Sequence, residues 1–301
     1  MTEVKACIDK FIDPVQAAHL AIQTNPENAP KLPEGLRKPG THSRDLRAAG
    51  VILTGRKWPN GKILKCAHLE GENLVQQRVQ QTAYEWQKYV NLRLAWVENP
   101  NDAEIRISYD KNDGSWSYLG TSNLEIPKNE ATMNFGWLEP NTSQTEYNRV
   151  VLHEFGHAFG YPHEHNHPKA GIPWDVEAVY EYYTRTQGWT REDVDQQVFA
   201  RYSESQTQFG EYDKLSIMHY PVDNSLTTGD YEVGWNTKLS EGDIKFAEWQ
   251  YPKDVVPDPP APVQARVKLS LSTLYRNPSR YYGKDLTIEY NRKPRWDAEA
   301  L

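Results

Sequence analysis

Residues 153–164 read His153-Glu154-Phe155-Gly156-His157-Ala158-Phe159-Gly160-Tyr161-Pro162-His163-Glu164. Residues four apart lie about 40° apart around an α-helix, so His153 and His157 share a face. Both imidazoles can then reach one ion at about 2.0–2.1 Å, the usual zinc–nitrogen distance. Glu154 sits about 100° round from His153, where it suits a water on the ion better than the ion itself. On an unbroken helix His163 would lie about 240° beyond His157 and point away. The helix must therefore stop and the chain must turn. Gly160 tolerates the left-handed conformation that ends helices. Pro162 lacks an N–H and pushes Tyr161 toward extended geometry. The residues between the second and third histidines are of the types that bring His163 back.

Three protein ligands with one open position mark a catalytic zinc site. Zn2+ lowers the pKa of a water to about 7. Glu154 can accept that proton, assist attack on a carbonyl and return the proton to a leaving amine. The bland alternative is a histidine cluster, at the surface or in the core, with no metal. A bare His-Glu-x-x-His occurs by chance, but Gly160 and His163 at fixed spacing argue against chance.

Ser143 with Glu146 fits a capping box at the start of the histidine helix, which runs through Val150, Val151 and Leu152. Upstream, Trp58-Pro59-Asn60-Gly61 is a turn signal. Lys62 to Leu69 and Leu92 to Val97 read as strands, and 72–90 between them as an amphipathic helix with Val75, Val79, Ala83, Trp86 and Val90 on one stripe. Ala103 to Tyr109 alternates as a half-buried strand does, and 115–124 and 130–137 are two further strand candidates. This order predicts an α+β protein with a mixed sheet. Helices are expected over 174–186 and 190–202, with a last one capped by Ser240 and Asp243 and ending at Tyr251-Pro252. Residues 1–48 read as an N-terminal extension with a short helix near 4–22. An arm is the preferred reading of it, and an inhibitory pro-segment the sharper one. Residues 253–262 hold five prolines when Pro252 is counted with them, a stiff linker. The tail 263–301 has room for one hairpin, from Val267–Ser272 and Leu286–Tyr290.

Net charge is −7 with a pI near 5.8, which gives no hint of the basic stripe a nucleic-acid binder needs. No run approaches the ~20 apolar residues of a membrane span, and no secretory signal is visible. Only Cys7 and Cys66 are present, read as free thiols or one disulfide, with Cys66 buried in a strand. Asn141-Thr142-Ser143 is a formal glycosylation sequon.

The histidine pattern followed by a methionine turn is a metzincin signature, and Ser216-Ile217-Met218-His219-Tyr220 supplies that turn, preceded by Tyr212-Asp213. From Trp58 to Pro252 the chain resembles the astacin-like metzincin peptidases. The resemblance implies a zincin-like fold, with a five-stranded sheet above a cleft between subdomains of about 49–162 and 163–252. Met218 would form an apolar floor beneath the zinc histidines. Tyr220 would be a further zinc ligand that swings away to stabilise the oxyanion; a phenol near pKa 10 stays protonated and can donate. An antiparallel edge strand, sought in 115–124, would bind substrate by strand addition. Secretion is implied as well.

The chain departs from the animal enzymes, which carry four cysteines in two disulfides. Glu164 is present, and in mature astacins the equivalent glutamate meets the new N-terminus. His165-Asn166-His167-Pro168 replaces the usual Arg-containing run, which sets the chain nearer the microbial astacin-like proteins. His165 and His167 read as surface positions or positions behind the ligands, not a second metal site. His219 is expected to fix local structure. Thiolates bind zinc well, so Cys7 is a lesser candidate ligand in a latent form.

The function expected is a zinc metalloendopeptidase acting on proteins or peptides, with His153, His157, His163 and Tyr220 on the metal, Glu154 as base, and Gly160 and Met218 as supports. No nucleic acid or membrane partner is expected, and oligomeric state is left open. The alternatives are an inactive binding module on a peptidase scaffold and a zinc amidase acting on non-protein amides.

Overall fold

The computed structural model describes residues 7–29 (save 9 and 11), 55–201 and 211–253. The expected tail hairpin lies outside these, as do residues 4–6, 9 and 11 of the expected N-terminal helix. That helix, α1, spans Pro14–Thr24, later than expected.

Five strands form one sheet: β1 (Ile63–His68), β2 (Arg93–Trp96), β3 (Ile105–Ser108), β4 (Ser115–Ser117) and β5 (Met133–Phe135). Their order is β2-β1-β3-β5-β4. Neighbours are parallel except β4 and β5, so the edge strand β4 is the antiparallel one. It lies in the stretch expected to supply that edge, but only three residues pair; the chain then tightens into a 3-10 turn over Gly120–Leu124. β3 is not half-buried as its alternation suggested. Ile105, Arg106 and Ile107 are all buried. The Arg106 guanidinium makes this possible by donating to the carbonyls of Ile126, Pro127 and Glu130, which folds that loop over the strand.

The helix after β1, α2, spans Asn73–Ala83 and closes in a 3-10 turn over Trp86–Lys88. It is shorter than the expected 72–90, yet all five residues of its predicted stripe are buried. Burial follows the apolar period; the tighter last turn is a common helix finish. The histidine helix, α3, spans Gln144–Phe159. Two indoles clamp it: Trp86 Nε1 donates to Leu152 O at 2.9 Å and Trp58 Nε1 to Ala158 O at 2.7 Å. Tyr251 Oη donates to Phe159 O at 2.6 Å and accepts from Trp58 N at 3.0 Å, so both ends of the domain meet at the foot of α3. Beyond it lie α4 (Val176–Gln187), α5 (Arg191–Val194), which widens into a π-turn over Asp195–Phe199, and α6 (Glu241–Gln250).

One buried group gives this fold an acid limb. The His68 ring stacks on Trp96, centroids 4.8 Å apart. Gln80 Nε2 lies 3.1 Å from its Nε2 and Tyr109 Oη 2.9 Å from its Nδ1, an arrangement that suits the neutral ring. Burial lowers its pKa to about 4. An unfolded histidine titrates near 6.5, so this contribution to stability is present above about pH 6.5 and is lost as pH falls toward 4. His68→Phe should lose less Tm than the natural chain between pH 7 and pH 4.5; equal losses in thermal melts would remove His68 from the acid response.

Candidate functional site

Ser143 caps α3, its Oγ accepting from Glu146 N at 3.2 Å. The return half of the expected exchange is redirected: the Glu146 carboxylate accepts from Arg149 and from Trp137 Nε1. Gly160 ends the helix at φ +99°, a conformation costly for any residue with a Cβ. Gly160 N donates to His157 O and Tyr161 N to Gly156 O, the paired bonds of a Schellman stop. Past Pro162 the chain is extended at His163, and that side chain returns to the other two.

The three Nε2 atoms of His153, His157 and His163 lie 3.1, 3.1 and 3.2 Å apart. All three residues are buried. His153 Nδ1 lies 2.7 Å from Ile217 O, and His157 Nδ1 2.8 Å from Tyr161 O. A carbonyl cannot donate, so each of these Nδ1 atoms carries the proton, and each Nε2 turns a lone pair to the centre. Lone pairs crowded together in a buried site call for a cation. A tetrahedral ion with nitrogens at about 2.0–2.1 Å spaces them about 3.3–3.4 Å apart, close to what is observed. Burial, then the neighbouring His157 and His163, hold the His153 pKa well below the usual histidine range, which favours the neutral ligand form. The three histidines therefore fit a zinc ion.

Below them lies the methionine turn. Ser216 Oγ donates to Asp243 Oδ1 at 2.6 Å and Ile217 N to Asp243 Oδ2 at 2.8 Å. Asp243 also completes the capping box of α6 with Ser240. It thus ties α6 to the same Ile217 whose carbonyl holds His153. The sequence flagged Asp243 only as a cap. Met218 is buried, with Sδ against the face of Gly156, where any Cβ would collide with it. Gly156, the third residue after His153 in the histidine motif's first turn, is not named by the spacing argument, yet it is a packing requirement. Glu164 N donates to Met218 O at 2.9 Å, and Glu164 Oε1 accepts from Asp213 N at 2.8 Å. Burial raises the pKa of that carboxyl to about 8.

Tyr220 stands beside the histidines, its ring centroid 4.3 Å from that of His163. Glu154 is fully buried next to them. His165 and His167 are buried, not surface residues. His165 stacks on Tyr220 at 4.3 Å and reaches Gln197 O at 2.9 Å, behind the ligands. His167 accepts from Lys169 N. His219 is held between Tyr220 O and Tyr212 Oη at 2.6 and 2.7 Å, a local structural post as expected.

Cys7 is also here, although the preferred sequence reading kept its segment out as an arm. Ligand atoms of Cys7, His153 and Glu154 all lie within 4.8 Å of one another. Tyr220 Oη donates to Cys7 O. Cys7 bridges Ser115 of β4 in parallel, and Ile8 N donates to Ser115 O at 3.1 Å. The segment is anchored further on, where Asn28 exchanges hydrogen bonds with the Lys57 backbone and Asn25 donates to Trp58 O. Burial, and then the Glu154 charge, push the Cys7 thiol well above its ordinary range. Both cysteines are free and buried.

Residues 51–251 match the model of the astacin peptidase family. Among solved structures the chain is similar to two of myroilysin, each at 46% identity over 66% of this chain. One is covered to 97% of its length with a TM-score of 0.65, the other to 86% with 0.53. Among curated proteins it is 28% identical over 188 residues to Protein SpAN of Strongylocentrotus purpuratus, covering 58% of this chain and 28% of that one. The chain thus spans little more than a quarter of that relative's length.

The fit of Met218 beneath Gly156 is open to measurement. Gly156→Ala should cost about 1–3 kcal/mol of stability, as overpacking does, and weaken zinc retention by shifting the floor under His153 and His157. Denaturant unfolding and bound-zinc assays that match the natural chain would show that the contact yields freely.

Proposed function

This chain belongs to the astacin family of peptidases, and we propose that it is a zinc endopeptidase with His153, His157 and His163 on the metal and Glu154 as general base. The observation that carries the reading is the convergence of three imidazole nitrogens beside a buried carboxylate. A zinc ion held there supplies Lewis acidity, acidifying a water and polarising a carbonyl. Glu154 takes the proton from that water and passes it to the leaving amine. It lies one residue past His153, on a helix whose carbonyls are gripped by Trp86, Trp58 and Tyr251, so its position is fixed before substrate arrives. The Tyr220 hydroxyl, a neutral donor beside the histidines, would help hold the metal and would supply a hydrogen bond to the developing oxyanion. The substrate lies along β4, whose outer edge offers main-chain groups to an added strand.

In the form described, residues 7 and 8 occupy that edge and Cys7 occupies the centre. We read this as a latent state. The N-terminal segment takes the place of substrate, holds the Tyr220 hydroxyl through Cys7 O, and sets a thiol where it could complete the zinc ligands. Residues 1–48 are then an inhibitory segment, held in part by Asn25 and Asn28, rather than an arm.

Glu154→Gln should retain zinc and lose at least about 100-fold in cleavage of casein or a quenched peptide. Tyr220→Phe should lose on the order of 100-fold in kcat with little change in KM. Unchanged cleavage by Glu154→Gln would sink the peptidase reading. Full-length Cys7→Ala should cleave peptides several-fold faster than the natural full-length chain. Equal initial rates would show that the thiol does not hold the site shut.

A further inference from the structure

His165 lies two residues past His163, in a 3-10 turn over Glu164–Asn166, and it is buried. The steps above give it no task. It is not one of the residues whose ligand atoms converge on the centre. What it touches is Tyr220. The two ring centroids are 4.3 Å apart and the planes 23° apart, a face-on stack. Tyr220 also lies 4.3 Å from His163, at 58°, and His163 lies 5.1 Å from His165. The three centroids form a triangle with the phenol at its apex. Tyr220 thus rests against one of the clustered histidines on one side and against His165 on another.

A second contact decides which way the face of His165 looks. Its Nε2 is 2.9 Å from Gln197 O. A carbonyl cannot donate, so Nε2 carries the proton. Gln197 belongs to the π-turn over Asp195–Phe199 that continues α5. It is among the last four residues of that helical run, whose carbonyls lie open to partners from outside the helix. Turns of this kind are rare and gather at functional sites. This one is set in an apolar cluster. Val194 and Val198 are buried with Val179, Tyr183 and Leu226, and Phe199 packs edge-on against Trp174 and Tyr180. A line of contacts therefore runs from α4 and α5, through the Gln197 carbonyl, to the His165 ring and on to Tyr220. It is separate from the ties that hold His153 and His157. A side chain that only filled space would need no bond to set its plane, and an apolar ring of similar volume would serve.

We propose that His165 is the positioning residue of Tyr220: its imidazole, held by the Gln197 carbonyl, sets the plane of the phenol and so the place of the hydroxyl. The inference rests on the peptidase reading, in which that hydroxyl meets the oxyanion. Such a donor acts only if it is held within about 0.5 Å of the productive position before the reaction begins. In the form described, the same hydroxyl donates to Cys7 O. His165 therefore sets that contact too, which gives a readout independent of catalysis.

Two variants separate the functions of the ring. His165→Phe keeps a face and loses the donor; His165→Gln keeps a donor and loses the face. In the zinc-loaded full-length Cys7→Ala chain, each should lower kcat on a quenched peptide about tenfold and leave KM within about twofold. Added to Tyr220→Phe, either change should cost nothing further, because its effect runs through the hydroxyl. The second readout is the rate at which iodoacetamide alkylates Cys7 in the full-length Glu154→Gln chain, followed by mass spectrometry that resolves Cys7 from Cys66. Each His165 variant, and Tyr220→Phe, should raise that rate about twofold to tenfold, as loss of one hydrogen bond does. The double variants should go no faster than the single ones. If one His165 variant does not fold, the cycle with the other decides. Costs that add in the double variants by either readout, or natural kcat and alkylation rates in the single ones, show a ring that only fills space and overturn the proposal. A chain that cleaves no peptide yet shows faster, non-additive alkylation overturns the peptidase reading and leaves His165 as the residue that places Tyr220. No cleavage together with additive or unchanged alkylation overturns both.

Discussion

Two N–H groups, each given to a backbone carbonyl, set the terms for the rest of the molecule. His153 and His157 spend their Nδ1 protons on Ile217 and Tyr161, which leaves their Nε2 lone pairs facing each other and His163 at about hydrogen-bond distance with no proton between the first two. Imidazole rings do not assemble this way in water. The arrangement persists only where neighbouring structure prevents the rings from turning, and a cation at the centre converts its cost into binding.

Much of the fold can be read as that restraint. The carbonyl of Ile217 is fixed because Asp243 grips the residue's own N–H and the preceding serine. The carbonyl of Tyr161 is fixed because a Schellman stop turns the chain just there. The helix bearing two of the histidines cannot rotate, since Trp58, Trp86 and Tyr251 each bond to one of its carbonyls. Met218 fills the gap that Gly156 leaves. Apart from the local Schellman stop, these ties join segments far apart in the chain, and they are buried, where competing water cannot weaken them.

The cleft side is governed by a different balance. An edge strand of three residues offers unpaired backbone groups, and exposed edges invite pairing. Residues 7 and 8 meet that need in the state described, with the Tyr220 hydroxyl turned to the same segment. On the proposed reading, a substrate strand competes for the same edge and the same hydroxyl. The guanidinium of Arg149, pinned by Glu146 and stacked on Trp235, adds a fixed charge to one wall of that space.

The sequence by itself determined the ligand set as a local problem. Helical spacing aligned His153 with His157, and Gly160 with Pro162 required the turn that returns His163. All of this is settled within eleven residues by backbone sterics, and the family, the mixed sheet and the buried stripe of α2 were legible in the same way from motif and period. Tertiary structure decided what depends on partners distant in sequence. The helical spacing assigned no task to Gly156, which Met218 packs against. Asp243 looked like a helix cap until its second oxygen was found on Ile217. β3 looked half-buried until the Arg106 guanidinium folded a loop across it. Cys7, a lesser candidate ligand on thiolate chemistry alone, lies 146 residues before His153 by their numbering, and only packing could bring it to the histidine cluster. Periodicity and spacing report what a residue does to its own element; they carry no record of which remote atom will satisfy it once water is excluded.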